Sequence, residues 1–200
     1  HRSASASRVA AARNDGADAG DANHDYFLCV AFPHDEMQIL DYNRVVRDLH
    51  GQTADRLLAR TADAFIVTPA DSAVRPERPG QFGMYVDGRW YRLDIRPELI
   101  PADDPVASLD VALLHEHLLG PLLGIGDQRT DERIDFIGGI RGLAELERRV
   151  DTGDMQIAFA LHPTRMEALM AVADANEVMP PKSTWFEPKL ADGLVSHVID

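Results

Sequence analysis

The stretch "QFGMYVDGRWYRLDI" (residues 81–95) has the clearest local pattern in this sequence. Asp87-Gly88 suits a two-residue type I′ turn, because both central positions of that turn need a positive φ. The flanking residues alternate as in two paired strands, so the stretch predicts an antiparallel hairpin. Three side-chain pairs should meet across it: Met84 with Tyr91 and Phe82 with Leu93 on one face, and Tyr85 with Trp90 on the other.

Strands and helices are predicted on both sides of this hairpin. Apolar runs predict strands at 25–33, 37–42, 133–138, 155–162 and 193–199. Helical spacing predicts helices at 1–13, 53–65, 140–150 and 163–176, and one within 108–126 that ends at Gly120-Pro121. Thr53 is a candidate N-cap, and Pro163 is expected in a first helical turn.

These elements favour an α/β fold of the mixed α+β kind, in which helices flank a mixed sheet around a central hairpin. Residues 14–23 are rich in Gly and Asp and predict a flexible loop. The chain begins with His1 rather than Met, so we interpret it as a processed product or as part of a longer protein.

The composition is that of a folded, acidic protein. Hydrophobic residues make up 45% of the 200 residues, which is enough for a core. The net charge is −13, and a surface of this sign repels nucleic acid and anionic membranes, so we expect neither as a partner. The apolar runs are shorter than the roughly 20 residues of a transmembrane helix and no signal peptide is recognisable, which predicts a cytoplasmic protein.

The sequence gives little support for a metal site or for a reactive thiol. His115 and His117 are two apart on a predicted helix and so point about 200° away from each other, which prevents them from sharing an ion. No Cys/His cluster has zinc spacing, so we predict no metal site. Cys29 is the only cysteine, and its place in a predicted strand favours a buried, inert thiol over a nucleophile. His162 and His197 are more typical of core histidines than of ligands.

Two stretches remain as candidate sites. "HRSAS" (1–5) puts His1 and Arg2 at the start of a helix, where unpaired N–H groups and the helix dipole favour an anion. The alternative is a frayed end with no function. In "VMPPKSTWFEPKLADGL" (178–194), paired prolines stiffen the backbone before Lys182, so its ammonium and the hydroxyls of Ser183 and Thr184 are offered at little ordering cost. Lys189 follows in the same stretch. The alternative is a rigid clamp whose aromatic residues plug the core.

The same two places carry a resemblance to a known family. "MPPKSTWFEPKLADGLV" resembles the C-terminal signature of the domain of unknown function 1015 family, and "HDYFLCVAF", "ILDYNRVV", "SLDVALLHEHLLGPLLGI" and "QIAFALHPT" occur in that family's order. Family members are about twice as long, and an Asp-Gly-His-His-Arg string precedes the helix that begins this chain. His1 and Arg2 look like the end of that string. The resemblance therefore implies that this chain is the C-terminal half of a longer protein.

The resemblance also implies a phosphate ligand. The family's Gly-His-His-Arg element is similar to the phosphate-binding element of the ParB, sulfiredoxin and free serine kinase superfamily, so His1 and Arg2 would contact a phosphate. Where family members tend to have Pro-Thr-His-Arg, this chain has "DYNR" (41–44). Arg44 is kept, and Asn43 replaces the histidine. A general acid or base at that position would be lost, whereas a positioning role would survive.

Three functions stay open at this point. The full-length protein is expected to be a nucleotide-dependent phosphotransferase or phosphohydrolase acting on a small metabolite such as serine, with ATP or ADP and Mg²⁺ implied by the resemblance alone. The alternatives are a non-catalytic module that binds a small anionic metabolite or nucleotide, and a scaffold. Each predicts that this half alone is inactive. The site should form where the first helix and residues 182–189 converge; the oligomeric state stays open.

Overall fold

The computed structural model describes residues 2–14, 22–191 and 193–198, without the side chains of Arg2 and Ala4. The chain divides into two compact units. The first comprises His1–Met37 and Pro188–Asp200, and the second comprises Gln38–Glu187. The mixed α/β class predicted from the sequence is confirmed. Most of the predicted flexible loop 14–23 lies outside the described residues, so that prediction stays open.

The second unit is built on a six-stranded sheet with the strand order β3-β5-β4-β7-β2-β6. All its strand pairs in the described residues are antiparallel, a stricter arrangement than the mixed sheet expected. A separate two-stranded sheet pairs β1 with β8. The strands are β1 (Gln38–Leu40), β2 (Tyr42–Val46), β3 (Phe65–Ala70), β4 (Gln81–Val86), β5 (Arg89–Ile95), β6 (Ile134–Gly138), β7 (Ile157–Leu161) and β8 (Trp185–Glu187).

Helices cover both faces of the large sheet. They are α2 (Ala54–Thr61), α3 (Asp110–Leu114) with a π-helical continuation His115–Leu119, α4 (Leu143–Asp151) and α5 (Met166–Asp174), while α1 (Arg2–Arg13) belongs to the first unit. Short 3₁₀ turns lie at Asn23–Asp25, His34–Glu36, Pro97–Leu99 and Gly139–Arg141. Thr53 caps α2 as predicted, because its side chain accepts a hydrogen bond from the Arg56 N–H.

The hairpin has the predicted register. Strands β4 and β5 join at Asp87 and Gly88, and both of these residues have a positive φ. All three predicted side-chain pairs face each other, namely Met84 with Tyr91, Phe82 with Leu93 and Tyr85 with Trp90. The turn sets the register of the two strands, and the register determines which side chains face each core.

The sheet separates two apolar cores. On one face, Phe82, Met84 and Phe159 pack with residues of α2, α3 and α5. On the other face, Tyr85 and Trp90 pack with Leu146 of α4. The hairpin contributes side chains to both cores because successive residues of a strand point to opposite faces of the sheet.

The apolar run 25–33 is not a strand, contrary to the prediction. It has an irregular extended conformation after the turn at Asn23–Asp25, and Cys29 is exposed rather than buried. Five large side chains of the run are exposed, namely Tyr26, Phe27, Leu28, Val30 and Phe32. A strand needs a neighbour to receive its backbone hydrogen bonds, and the described part of the first unit offers none.

Other boundaries differ from the predictions. Residues 193–198 form no strand, and Pro163 precedes α5, whose N-cap is Arg165. The predicted strand at 37–42 is interrupted at Asp41, so β1 and β2 belong to different sheets. Strands β3 and β8 and most of β2 were missed, because short strands with mixed polarity carry little periodic signal.

Gly83 tests how closely the covering loop packs on the sheet. A Cβ at this position would clash with the backbone carbonyl of Val74 and lie 3.0 Å from the Trp90 ring. We expect Gly83→Ala to lower the free energy of unfolding by about 1–3 kcal/mol, as overpacking does. Urea unfolding measures this change. Gly126→Ala is the control, because a Cβ there meets nothing within 4 Å; equal losses in both variants would contradict the packing argument.

Candidate functional site

Arg44 is the largest fully buried side chain of the protein. It lies on β2, where its guanidinium group donates through Nη1 to the Tyr42 carbonyl and through Nη2 to the Lys182 carbonyl at 3.0 Å. Its Cζ lies 5.4 Å from the centroid of the Phe136 ring, across the strand pair. Arg44 therefore joins the sheet to the loop that carries Lys182.

Lys182 is held in an unusual backbone conformation and keeps its ammonium at the surface. Its φ is 56°, in the left-handed region that costs a residue with a Cβ some energy. Its Nζ lies 5.6 Å from the ring centroid of Tyr42 and 5.9 Å from that of Phe136. The ammonium is thus placed over two aromatic rings, while the residue as a whole remains exposed.

The loop around Lys182 is braced by its own polar groups. The buried Ser183 hydroxyl donates to the Pro180 carbonyl, and the Ser183 carbonyl accepts from the Thr164 hydroxyl at 2.8 Å. Trp185 packs its ring against Gly138, where a Cβ would lie only 2.5 Å from the ring. Trp185 itself is half-buried and is not part of either apolar core.

The local charge is positive although the protein is acidic. Among the residues that the structure describes, neither Arg44 nor Lys182 has a carboxylate within salt-bridge distance. Burial lowers the pKa of Arg44 to about 9, and the charge of Asp110 opposes this effect. Burial raises the pKa of Asp110 to about 7, although the Gly80 N–H donates to its carboxylate at 2.7 Å. Arg44 thus remains cationic at neutral pH, while its nearby carboxyl is only partly ionised.

Asn43 has a positioning role. Its side chain is fully buried, donates from Nδ2 to Asp41 Oδ2 at 2.5 Å and accepts at Oδ1 from the Leu161 N–H at 3.0 Å. One amide therefore fixes both the Asp41 carboxylate and the end of β7.

The structure brings together part of the predicted site. Arg44, Lys182 and Ser183 are in contact, and Thr184 follows them half-buried. His1 lies outside the described residues, as does the side chain of Arg2 at the start of α1. Lys189 belongs to the first unit. The convergence of the first helix with residues 182–189 therefore stays a prediction.

Several residues of this region were missed from the sequence. Tyr42 and Phe136 supply the rings beneath Lys182, and Asp110 supplies a carboxyl near Arg44. Only the pairing of β2 with β6 brings Tyr42 close to Phe136, so no local signal could reveal them. A cavity of about 490 Å³ lies elsewhere, near the Asp87-Gly88 turn, and contains none of the predicted site residues.

Comparison with protein families identifies the chain. Residues 1–112 match the family described as "Protein of unknown function (DUF1015)". The chain belongs to this family. No curated protein sequence matches it significantly.

Solved structures with a similar fold come from longer chains. A free serine kinase in complex with AMP is 14% identical with a TM-score of 0.45, and a free serine kinase variant in complex with ADP is 15% identical with a TM-score of 0.44. Each comparison covers 76% of this chain and 55% of that chain. A conserved hypothetical protein from Pyrococcus furiosus is 15% identical with a TM-score of 0.46, and 57% of it is covered. This chain thus spans about half the length of these proteins.

Within residues 2–14, 22–191 and 193–198, no group of three or more His, Cys, Asp or Glu side chains is arranged to hold a metal ion. In the same residues, no helix combines the length and the apolar character needed to cross a membrane.

Asp110 should make stability depend on pH. Its pKa rises from the ordinary 3.8 to about 7 on folding, so between these values the folded protein binds more protons than the unfolded one. Stability contributed by the protonated group is therefore lost as pH rises through this window. Asp110→Asn keeps the acceptor for Gly80 and cannot ionise. We expect it to reduce the loss of unfolding free energy between pH 5 and pH 8 by about 2–3 kcal/mol.

Urea unfolding at both pH values measures this effect. Asp63→Asn, at an exposed position, is the matched control and should leave the pH dependence unchanged. If Asp110→Asn follows the same pH dependence as the original protein, Asp110 is not the group that titrates.

Proposed function

We propose that this protein binds a phosphate-containing small molecule at Lys182. The proposal extends to the full-length protein, which we infer to be a nucleotide-dependent phosphotransferase or phosphohydrolase acting on a small metabolite such as serine. ATP or ADP with Mg²⁺ is the nucleotide that such a reaction would use. We assign no residue of this chain to the magnesium ion.

One observation carries the proposal: Lys182 presents a fixed ammonium group that has no carboxylate partner among the described residues. In a protein of net charge −13, exposed lysines have many acidic partners available. Here the backbone is instead held by Arg44, and the ammonium rests over Tyr42 and Phe136. A cation that is already ordered and still unpaired loses little entropy when it binds an anion.

Arg44 stabilises the Lys182 loop from the buried side of the site. Its guanidinium is fully buried and its Nε has no hydrogen-bond partner in the described part of the chain. Its two other nitrogens bond backbone carbonyls, which do not neutralise its charge. The low polarity of its surroundings strengthens its field at the loop. Arg44 thus positions Lys182 and adds positive potential without touching the ligand.

The chemistry of the site fits phosphoryl groups. A lysine ammonium binds phosphate as a point charge, and the aromatic rings beneath it attract the cation and so favour its present position. Phosphoryl transfer depends on positioning and charge stabilisation more than on covalent chemistry by the protein. A single exposed lysine makes a shallow site. We therefore expect further ligand contacts from Thr184 and Lys189, and from His1 and Arg2.

A non-catalytic role is the alternative. The Ser183 hydroxyl is engaged by Pro180, so it is not offered to a ligand in this conformation. A loop whose polar groups satisfy each other can serve as a brace for Trp185 against Gly138. The protein would then be a ligand-binding module without turnover, or a scaffold in which residues 180–187 only stabilise the fold.

Lys182→Ala separates these functions. If the ammonium binds phosphate, its loss should weaken binding of ADP about 10- to 100-fold, as expected for one charge-assisted contact. Titration calorimetry with ADP, and with inorganic phosphate as a smaller probe, measures the affinity. Arg56→Ala removes one exposed positive charge from α2 and is the control. Unchanged affinity in Lys182→Ala would refute the assigned site, and lowered stability alone would favour the brace.

Turnover is tested on the full-length protein. Phosphorus NMR with ATP or ADP and a panel of small hydroxylated metabolites should show a new phosphorylated product. Saturable nucleotide binding without any product would favour the non-catalytic alternative.

A further inference from the structure

Residues 26–33 of the first unit carry an apolar surface that the described residues leave uncovered. Single exposed apolar side chains are ordinary on a protein surface, but a contiguous series marks an interaction surface. Five large side chains of this segment are 38–57% exposed, namely Tyr26, Phe27, Leu28, Val30 and Phe32. The segment is therefore a candidate docking surface, and it is separate from the residues assigned to the phosphate ligand.

The backbone of the segment is unpaired as well. Among the described residues, no backbone hydrogen bond joins residues 27–32 to the rest of the chain. The backbone is extended at both ends, with φ and ψ of −113° and 156° at Tyr26 and of −55° and 140° at Pro33. Residues 27–32 thus present unpaired N–H and C=O groups, which is what a strand edge offers to a new neighbour.

The position of the segment relative to α1 is fixed at its start. The Asn14 amide donates from Nδ2 to Asp25 Oδ1 at 2.6 Å, and Asn14 Oδ1 lies 2.6 Å from His24 Nε2. Both contacts hold the turn that leads into the segment against the end of α1. A surface that is already positioned loses less entropy when a partner binds.

The segment is complementary to itself when two copies run antiparallel. A two-fold axis makes each facing pair occur twice, and Cys29 then lies on the axis opposite Cys29 of the second copy. Tyr26 faces Phe32 of the second copy, and Leu28 faces Val30. These four side chains share one face of the pair, because residues two apart along a strand point the same way. Large apolar side chains therefore meet large apolar side chains across the axis.

Charge favours this arrangement of two copies. Each copy has a net charge of −13, so a second copy can approach only where the surface lacks acidic groups. Residues 26–33 contain no Asp, Glu, Lys, Arg or His. In the antiparallel register Asp25 faces Pro33 of the second copy, whereas a parallel pair in register would bring the two Asp25 carboxylates side by side. The antiparallel pair thus avoids the repulsion that a second acidic copy would otherwise meet.

A cavity beside α1 adjoins the same register. It has a volume of about 390 Å³, and its lining includes Ser3, Ala6, Ser7, Ala10, Tyr26 and Phe27. The short side chains of α1 leave this space open. A cavity of about 150 Å³ is enough for a benzene ring. Because Tyr26 faces Phe32 of the second copy, the register brings that phenyl ring to a cavity that can hold it.

The surface has the area that a dimer needs. A buried aromatic side chain contributes about 150–250 Å², so five large side chains that are half exposed offer on the order of 500 Å² per copy. Two copies then bury on the order of 1,000 Å², which is where specific interfaces begin. The cavity beside α1 adds to this area.

We propose that two copies of this chain associate through residues 26–33, which form an antiparallel β-pair centred on Cys29. The second copy supplies the neighbouring strand that the first unit lacks, so the segment becomes a regular strand in the dimer. Backbone hydrogen bonds supply the pairing, and the facing apolar side chains supply the specificity. The dimer does not depend on the proposed function.

Oxidation of Cys29 tests the register. Cys29 is the only cysteine of the chain and is exposed. Facing Cα atoms of an antiparallel pair are about 4.5–5.5 Å apart, which is within the range of a disulfide. Mild oxidation at micromolar protein should therefore give a disulfide-linked dimer, which a non-reducing gel detects.

The double variant Cys29→Ser with Ala31→Cys is the matched control for this experiment. It keeps every large apolar side chain of the segment. The thiol at position 31 faces Phe27 of the second copy, so the two thiols lie about 13 Å apart along the strands. They should not cross-link. Equal cross-linking in both proteins would refute the register.

Sedimentation velocity under reducing conditions measures association without a disulfide. The chain should form dimers in a concentration-dependent manner. Leu28→Asp should weaken the dimer about 10- to 100-fold, because it puts a carboxylate against Val30 of the second copy. Leu28 is half exposed, so the change leaves the fold of the monomer intact. Ile140→Asp is the control, since Ile140 is 65% exposed in the second unit.

Three results would overturn the dimer. A chain that stays monomeric at all concentrations would leave the surface to a strand of another protein. Equal weakening by Leu28→Asp and Ile140→Asp would show a general effect of charge. Large aggregates in place of dimers would show the unspecific adhesion of an exposed strand.

Discussion

The buried guanidinium of Arg44 is the constraint on which the candidate site depends. Removing a charged side chain from water is costly, and here no carboxylate among the described residues offsets the cost at close range. The offset comes from two backbone carbonyls and from the face of Phe136. One of those carbonyls belongs to Lys182. The hydrogen bond that Arg44 donates to it therefore fixes the position of the loop. The left-handed backbone of Lys182 is then a consequence, because it turns that carbonyl toward the sheet and the side chain away from it.

Buried polar side chains are concentrated at one end of the sheet, because the strands differ in polarity along their length. At the end near the Asp87-Gly88 turn, both faces are filled by apolar residues, such as Ile157 on one face and Ala158 on the other. At the opposite end, Tyr42 and Arg44 lie on one face, and Asp41 and Asn43 lie on the other. Consecutive residues of one strand thus supply both polar clusters, since side chains alternate between faces. The alternation that builds two cores in the middle of the sheet builds two chemical environments at its end.

The sequence predicted local structure well and long-range structure poorly. The hairpin register followed from Asp87-Gly88 alone, and the cap of α2 followed from Thr53, because both depend on residues close in sequence. The run 25–33 has the composition of a covered strand, but composition cannot supply the neighbouring strand that would cover it. Paired prolines and a lysine form a local pattern, so Lys182 could be proposed as a site residue from the sequence alone. Its aromatic support could not be predicted, since it arises only when β2 pairs with β6.

Asn43 places an amide, which cannot exchange a proton, between Asp41 and the end of β7. A neutral histidine at this position could also donate one hydrogen bond and accept another, but its protonation would remove the acceptor that Leu161 uses. An amide does not titrate, so Asn43 holds both Asp41 and the end of β7 at every pH. The geometry of the carboxylate is therefore independent of the protonation of its neighbour. Asp41 is thus held by two groups that do not exchange protons, the amide of Asn43 and the backbone N–H of Gly139.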